Sequence, residues 1–163
     1  MATTKMPLPI EAASPGTSAI PAMTNDAGTN FPVPGYSFTI ASNQAIYWHF
    51  PLLYYGSGSL VVNLLWFSAG GSTTGNVRWD ASMNAITPGD AQSILTDSLS
   101  TVANTTTTVN GTARGVTLTQ VTVAATDSAA EGDRIELKVT CNSAGTMASN
   151  AVLVDAFVTW SDT

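Results

Sequence analysis

Residues 60–67 are Leu60, Val61, Val62, Asn63, Leu64, Leu65, Trp66 and Phe67, seven apolar side chains in eight positions. Residues 68–76 carry no large side chain, and residues 77–83 alternate apolar with polar. The pattern predicts strand, loop and strand closing as an antiparallel hairpin. Alternation marks the second strand as wet on one face. The unbroken run marks the first strand as dry on both. A sandwich made by one chain covers one face of a strand, so the run calls for a second cover, and another subunit is the expected one. Val62, Leu64 and Trp66 are the expected interface residues here. Residues 151–160 repeat the signal, with Val152, Val154, Ala156, Val158 and Trp160 on one face. Leu153 and Phe157 lie on the other face beside Asp155 and Thr159, and they join the expected subunit interface.

The first 35 residues behave differently. They hold six of the eight prolines, Pro7, Pro9, Pro15, Pro21, Pro32 and Pro34, among small polar residues. Proline at this density forbids helix and interrupts sheet ladders. The expected organisation is an extended N-terminal arm over residues 1–35 and a β-sandwich domain over residues 36–163. The arm is either a solvated tail or a segment lying in a groove on a partner. Its spaced apolar anchors Met6, Leu8, Ile10, Ile20, Met23 and Phe31 favour the groove, because a tail that only solvates needs none.

Charged residues make up 10% of the 163-residue chain, against about 25% in a usual domain. Thr, Ser, Ala, Gly and Asn take their place, which favours strand over helix. Strands are expected at 36–41, 45–50, 116–123 and 134–141 in addition to those above. Residues 101–109 read as an extended Thr-rich segment, and residues 91–99 as a short helix or an irregular strand. Val116 and Leu118 occupy even positions while Val121 and Val123 occupy odd ones, so a β-bulge or sharp bend is expected near Thr119–Gln120. Turn signals at Pro88-Gly89-Asp90 and Asn110-Gly111 divide these strands. The fold class is all-β: an antiparallel β-sandwich, jelly-roll-like, with the Pro-rich arm appended.

Little of the sequence points to catalysis. The formal charge of -6, with five Lys and Arg, argues against nucleic acid as a partner. No apolar run is long enough to span a membrane. The start of the chain lacks a basic-then-apolar leader pattern. His49, the single histidine, stands between Trp48 and Phe50 and reads as structural. Asp127, Glu131 and Asp133 could hold Ca²⁺ or serve glycoside hydrolysis, but acids ahead of a strand are usually solvated turn residues. No cofactor, metal or catalytic residue is therefore expected. Cys141 has no partner for an internal disulfide and reads as a buried small hydrophobe, in keeping with assembly in a reducing cytoplasm. The remaining chemistry is aromatic. Tyr54 and Tyr55, in a Gly/Ser loop, are candidates for stacking on a glycan, with Trp48 as a further one.

Tyr47-Trp48 leading to Pro51, the strand ending in Leu65-Trp66, residues 72–79 ending in Arg78-Trp79, Gly132-Asp133 opening an alternating strand, and Asp155 in the last strand occur in an order that resembles small β-sandwich virion proteins of tailed bacteriophages. The resemblance covers about residues 45–160. It implies a jelly-roll homotrimer located on the virion and assembled in the host cytoplasm. It also implies a capsid cement, or decoration, protein that stabilises the shell against the major capsid protein, the arm anchoring to the coat. The alternative within the same group is a tail-fibre module that binds a receptor or glycan. One departure is the loop 142–147, which is uncharged here.

Overall fold

A computed structural model describes residues 3–28, 30–89, 91, 97–124 and 129–162. In chain order the strands are β1 (Thr3–Pro7), β2 (Ser14–Pro15), β3 (Ala22–Ala27), β4 (Pro32–Phe38), β5 (Gln44–Pro51), β6 (Ser57–Ser68), β7 (Asn76–Ile86), β8 (Ala103–Thr108), β9 (Thr117–Val123), β10 (Arg134–Asn142) and β11 (Ala151–Ser161). Among the described residues the only helical element is a single 3-10 turn, Ile10–Ala12. The segment 91–99, with its undecided structure, lies mostly outside the described residues. The strands form two antiparallel sheets, β3-β4-β11-β6-β9 with β1 also on β11, and β2-β5-β10-β7-β8.

β6 and β7 fall in different sheets, so the expected hairpin does not form. The loop between them crosses from one layer to the other, and the two strands meet face to face. Trp66 of β6 lies 6.4 Å from Trp79 of β7 between ring centroids. Phe38 packs edge-on against Trp79 at 5.1 Å, and Phe50 stacks on Trp160 at 6.4 Å. One side of the sandwich is closed by hydroxyls: the Trp66 indole N–H donates to Thr119 Oγ1, which donates to Thr107 Oγ1. That chain explains why β9 needs no bulge. Thr117, Thr119, Val121 and Val123 all point inward in unbroken register with β6, leaving Val116 and Leu118 outside. A threonine facing the core is tolerated because its hydroxyl finds partners.

The bulge sits in β11 instead, between Leu153 and Asp155. One extra residue there switches the strand's faces. Leu153 therefore points into the core along with Ala156, Val158 and Trp160, and Val152, Asp155 and Phe157 point out. This corrects the expected subunit interface. Val62, Leu64, Trp66 and Leu153 are all 0% exposed within a single chain, because they fill the space between the sheets. The outward residues of β6 are Val61, Asn63, Leu65 and Phe67. Phe157 alone of the five lies outside, half-buried, with the Lys5 ammonium 3.8 Å from its ring centroid.

The arm is likewise part of the sheets. β1 pairs with β11, β2 with β5 and β3 with β4, so residues 1–35 supply three strands and the start of a fourth. Pro32 and Pro34 are accommodated in β4 and Pro15 in the two-residue edge strand β2. Leu8 and Ile10 are 2% and 4% exposed, and Met6 packs against the same core. The Leu8 N–H donates to the Ala156 carbonyl, and the Trp48 indole N–H donates to the Pro9 carbonyl at 2.9 Å. Part of the core is thus filled by the chain's own first residues.

Candidate functional site

β5, β10, β7 and β8 alternate strictly, so every second residue faces away from the core, and the antiparallel register gathers these residues into rows. One row is Ala45, Thr140, Asp80 and Asn104; the next is Tyr47, Lys138 and Ser82; a third is His49, Glu136 and Asn84; a fourth is Asn142, Arg78 and Thr106. This outer face is almost entirely polar, although Asp80, Ser82 and Asn84 are buried.

The centre of the face is Asp80. Its carboxylate accepts the Arg78 Nε–H at 2.8 Å and the Asn142 Nδ2–H on the opposite side. Both partners come from neighbouring outward positions, so the carboxylate, guanidinium and amide are held together as one hydrogen-bonded array. A cleft of about 190 Å³ opens beside it, lined by Asn43, Asp80, Ser82, Lys138, Thr140 and Asn142. Tyr47, half-buried, neighbours the cleft residue Lys138, whose ammonium stands 5.9 Å from the tyrosine ring centroid. At the next row His49 Nδ1 stands 3.5 Å from Glu136 Oε1, and Arg134 reaches the same oxygen at 4.0 Å. The Asn84 amide donates to Asp97 at 2.9 Å. Directly beneath Asp80, the inward Cys141 thiol is pushed up to about 12 by burial and, secondly, by the charge of Asp80. Donors and acceptors fixed by hydrogen bonds, with one aromatic ring on the same sheet face, suit a hydroxyl-rich ligand. Nothing in it resembles a nucleophile with its base.

The other expected site residues lie elsewhere. Tyr54 is 68% exposed at a φ of +52°, at the end of the sandwich in the β5–β6 loop. Tyr55 is half-buried, its hydroxyl donates to the Gly58 carbonyl at 2.6 Å, and burial raises its phenol. The hollow beside Tyr55 is lined by Gly56, Ser57, Gly58, Ser59, Ala124 and Ala129, so stacking there would lack charged partners. Trp48 is buried and committed to Pro9. Asp133 is a turn residue, 1% exposed, its Oδ2 accepting the Ala130 N–H at 2.8 Å. Glu131 is exposed, and Asp127 lies outside the described residues. Among the described residues no group of three His, Cys, Asp or Glu could hold a metal. Of the arm anchors, Ile20, Met23 and Phe31 remain exposed, whereas Leu8 and Ile10 are consumed by the core. Sequence reasoning missed the Asp80 cluster. Its members are spread over β5, β7 and β10, and only the alternation within each strand hinted that they share a face.

No protein-family model matches this chain, and no curated protein sequence does. Solved structures do share its architecture. A family 11 carbohydrate-binding module from Clostridium thermocellum, in complex with a β-1,3-1,4-mixed-linked tetrasaccharide, matches at 11% identity and a TM-score of 0.53, over 97% of this chain and 96% of the module. CBM35 from Paenibacillus barcinonensis matches at 14% identity and a TM-score of 0.51, over 97% and 99% of the two chains. The isomalto-dextranase of Arthrobacter globiformis T6, complexed with panose, matches at 10% identity and a TM-score of 0.54 over 99% of this chain, which spans 23% of the enzyme. At such identities the likeness is one of fold, and the fold is an all-β jelly-roll-type sandwich of the kind found in carbohydrate-binding modules.

Proposed function

We propose that this chain is a non-catalytic glycan-binding module, and that the outer face of the β2-β5-β10-β7-β8 sheet is its binding surface. The observation that carries the reading is the Asp80–Arg78–Asn142 array, of which Asp80 and Asn142 line a cleft on a polar sheet face, with Tyr47 in the next row of the same face. A sugar offers adjacent hydroxyls and an apolar C–H face. Planar carboxylate, amide and guanidinium groups match the hydroxyls, and an aromatic ring matches the C–H face. The carbohydrate-binding modules that share the sandwich support the ligand class. The chain's charge of -6 disfavours a polyanionic glycan, so a neutral one is expected. The resemblance to phage virion proteins fits such a module as part of a tail fibre. A capsid cement protein anchored by its arm would lack Leu8 and Ile10, which are already buried.

A glycan array followed by calorimetry tests the reading. Asp80→Asn and Tyr47→Ala should each weaken binding by about tenfold or more, since each removes a charged acceptor or the ring face. Tyr54→Ala with Tyr55→Ala should leave affinity unchanged. If the loop pair abolishes binding and the sheet variants do not, the site is the β5–β6 loop. If no neutral glycan binds the wild type, the module reading fails.

A further inference from the structure

The outer face of the opposite sheet is built differently. Across β9, β6, β11 and β4 it presents Leu118, Leu65, Phe67, Val154 and Val33, with Val116 and Phe31 at its margins. Phe31, Val116 and Leu118 are 67%, 53% and 49% exposed. An apolar slot of about 340 Å³ is cut into this face, with Phe31, Val33, Phe67, Val116 and Val154 as its lining. Two charged groups interrupt the lining, Asp26 and Arg114.

Among the described residues neither group enters an ion pair. Asp26 Oδ2 is shut off from solvent and accepts no hydrogen bond. Among the described residues, the Arg114 side chain makes no ion pair or hydrogen bond and lies over no ring; Arg78 and Arg134 both reach a carboxylate, and Lys5 and Lys138 both stand over rings. Arg114 is also held at a φ of +57°, a strained conformation for a side-chain-bearing residue. Asp26 is half-buried and Arg114 exposed, so a partner can reach both, and an exposed apolar face of this kind marks an interaction surface.

We infer that this face binds a second copy of the chain in a two-fold dimer. Arg114 of each protomer pairs with Asp26 of the other, over the joined apolar slots. One negative and one positive group on the same patch are what an isologous interface requires, because residue i meets j while j meets i. Arginine supplies a forked donor that matches a carboxylate. The partners are thus present in equal number on the one surface, and no second protein is needed to supply them. The two polar faces proposed to bind glycan would then point away from each other. The dimer does not depend on that binding, and its test uses no sugar.

Sedimentation across a concentration series should show a monomer–dimer equilibrium for the wild type. Asp26→Arg and Arg114→Asp should each weaken association by about tenfold or more, because like charges would then face each other. An equimolar mixture of the two single variants should associate again, because each reversed residue then meets its complement. Phe31→Ser should weaken association without altering charge. Far-UV circular dichroism reports whether each variant folds. A wild type that stays monomeric, one that forms trimers, or a dimer indifferent to both charge reversals would overturn the inference. A mixture that stays monomeric while both folded variants are weakened would overturn the reciprocal pairing.

Discussion

Leu8 and Ile10 test whether the Pro-rich beginning of the chain is an appendage or part of the fold. Both sit between the sheets at 2% and 4% exposure. Truncating a buried Leu or Ile to Ala costs about 2–5 kcal/mol, the lost transfer energy plus the cavity left behind. We take about 3 kcal/mol for each site, since the turn that carries them is also held by the Leu8 N–H and the Pro9 carbonyl and has limited freedom to collapse. For a chain of this size each substitution should lower the melting temperature by roughly 6–12 °C. Together they approach the ~5–15 kcal/mol that hold an ordinary domain, although such near neighbours need not add. Urea unfolding followed by tryptophan fluorescence measures the change. Met23→Ala, at a position 57% exposed, is the control and should stay within about 0.5 kcal/mol. Should Leu8→Ala and Ile10→Ala also stay within about 0.5 kcal/mol, the arm is not a structural part of the core.

Two further predictions concern the core and a loop. Cys141 is protonated in both states below pH 9.0; from there to about 12 the unfolded thiol ionises and the folded one does not, so stability falls as pH rises through that window. Cys141→Ala should remove this component, and urea midpoints of the two proteins from pH 8 to 10.5, compared by difference, should diverge; parallel curves would refute it. Gly75 has a φ of +92°, and a Cβ there would lie 2.7 Å from Met147 Cα. Gly75→Ala should therefore cost roughly 2 kcal/mol or more, strain plus overlap, while Gly89→Ala, at +89° with open space around it, should cost about 1 kcal/mol from strain alone. Equal losses in thermal melts of the two variants would remove the overlap from the account.

Period-2 alternation made β10 legible, and Ile135, Leu137, Val139 and Cys141 are the inward residues it indicated. Composition likewise made the all-β class legible, because so Thr- and Val-rich a chain favours strands over helices. Alternation failed where a backbone irregularity or a polar partner intervened. In β11 the bulge after Leu153 changed which face was inner, and in β9 a hydroxyl network let Thr119 take a core position. Neither device leaves a trace in local hydrophobicity.

Which surfaces the strands meet is a different kind of information. The apolar run at 60–67 indicated that β6 would be largely covered, since apolar side chains favour burial. It carried nothing about the identity of the cover, because that depends on contacts between residues far apart in the chain. The tertiary structure decided that Trp79 covers one face of Trp66 from the opposite sheet and that the arm packs beside β11. The same holds for the Asp80 array, whose side chains come from separate strands and become neighbours only when the sheet sets their register.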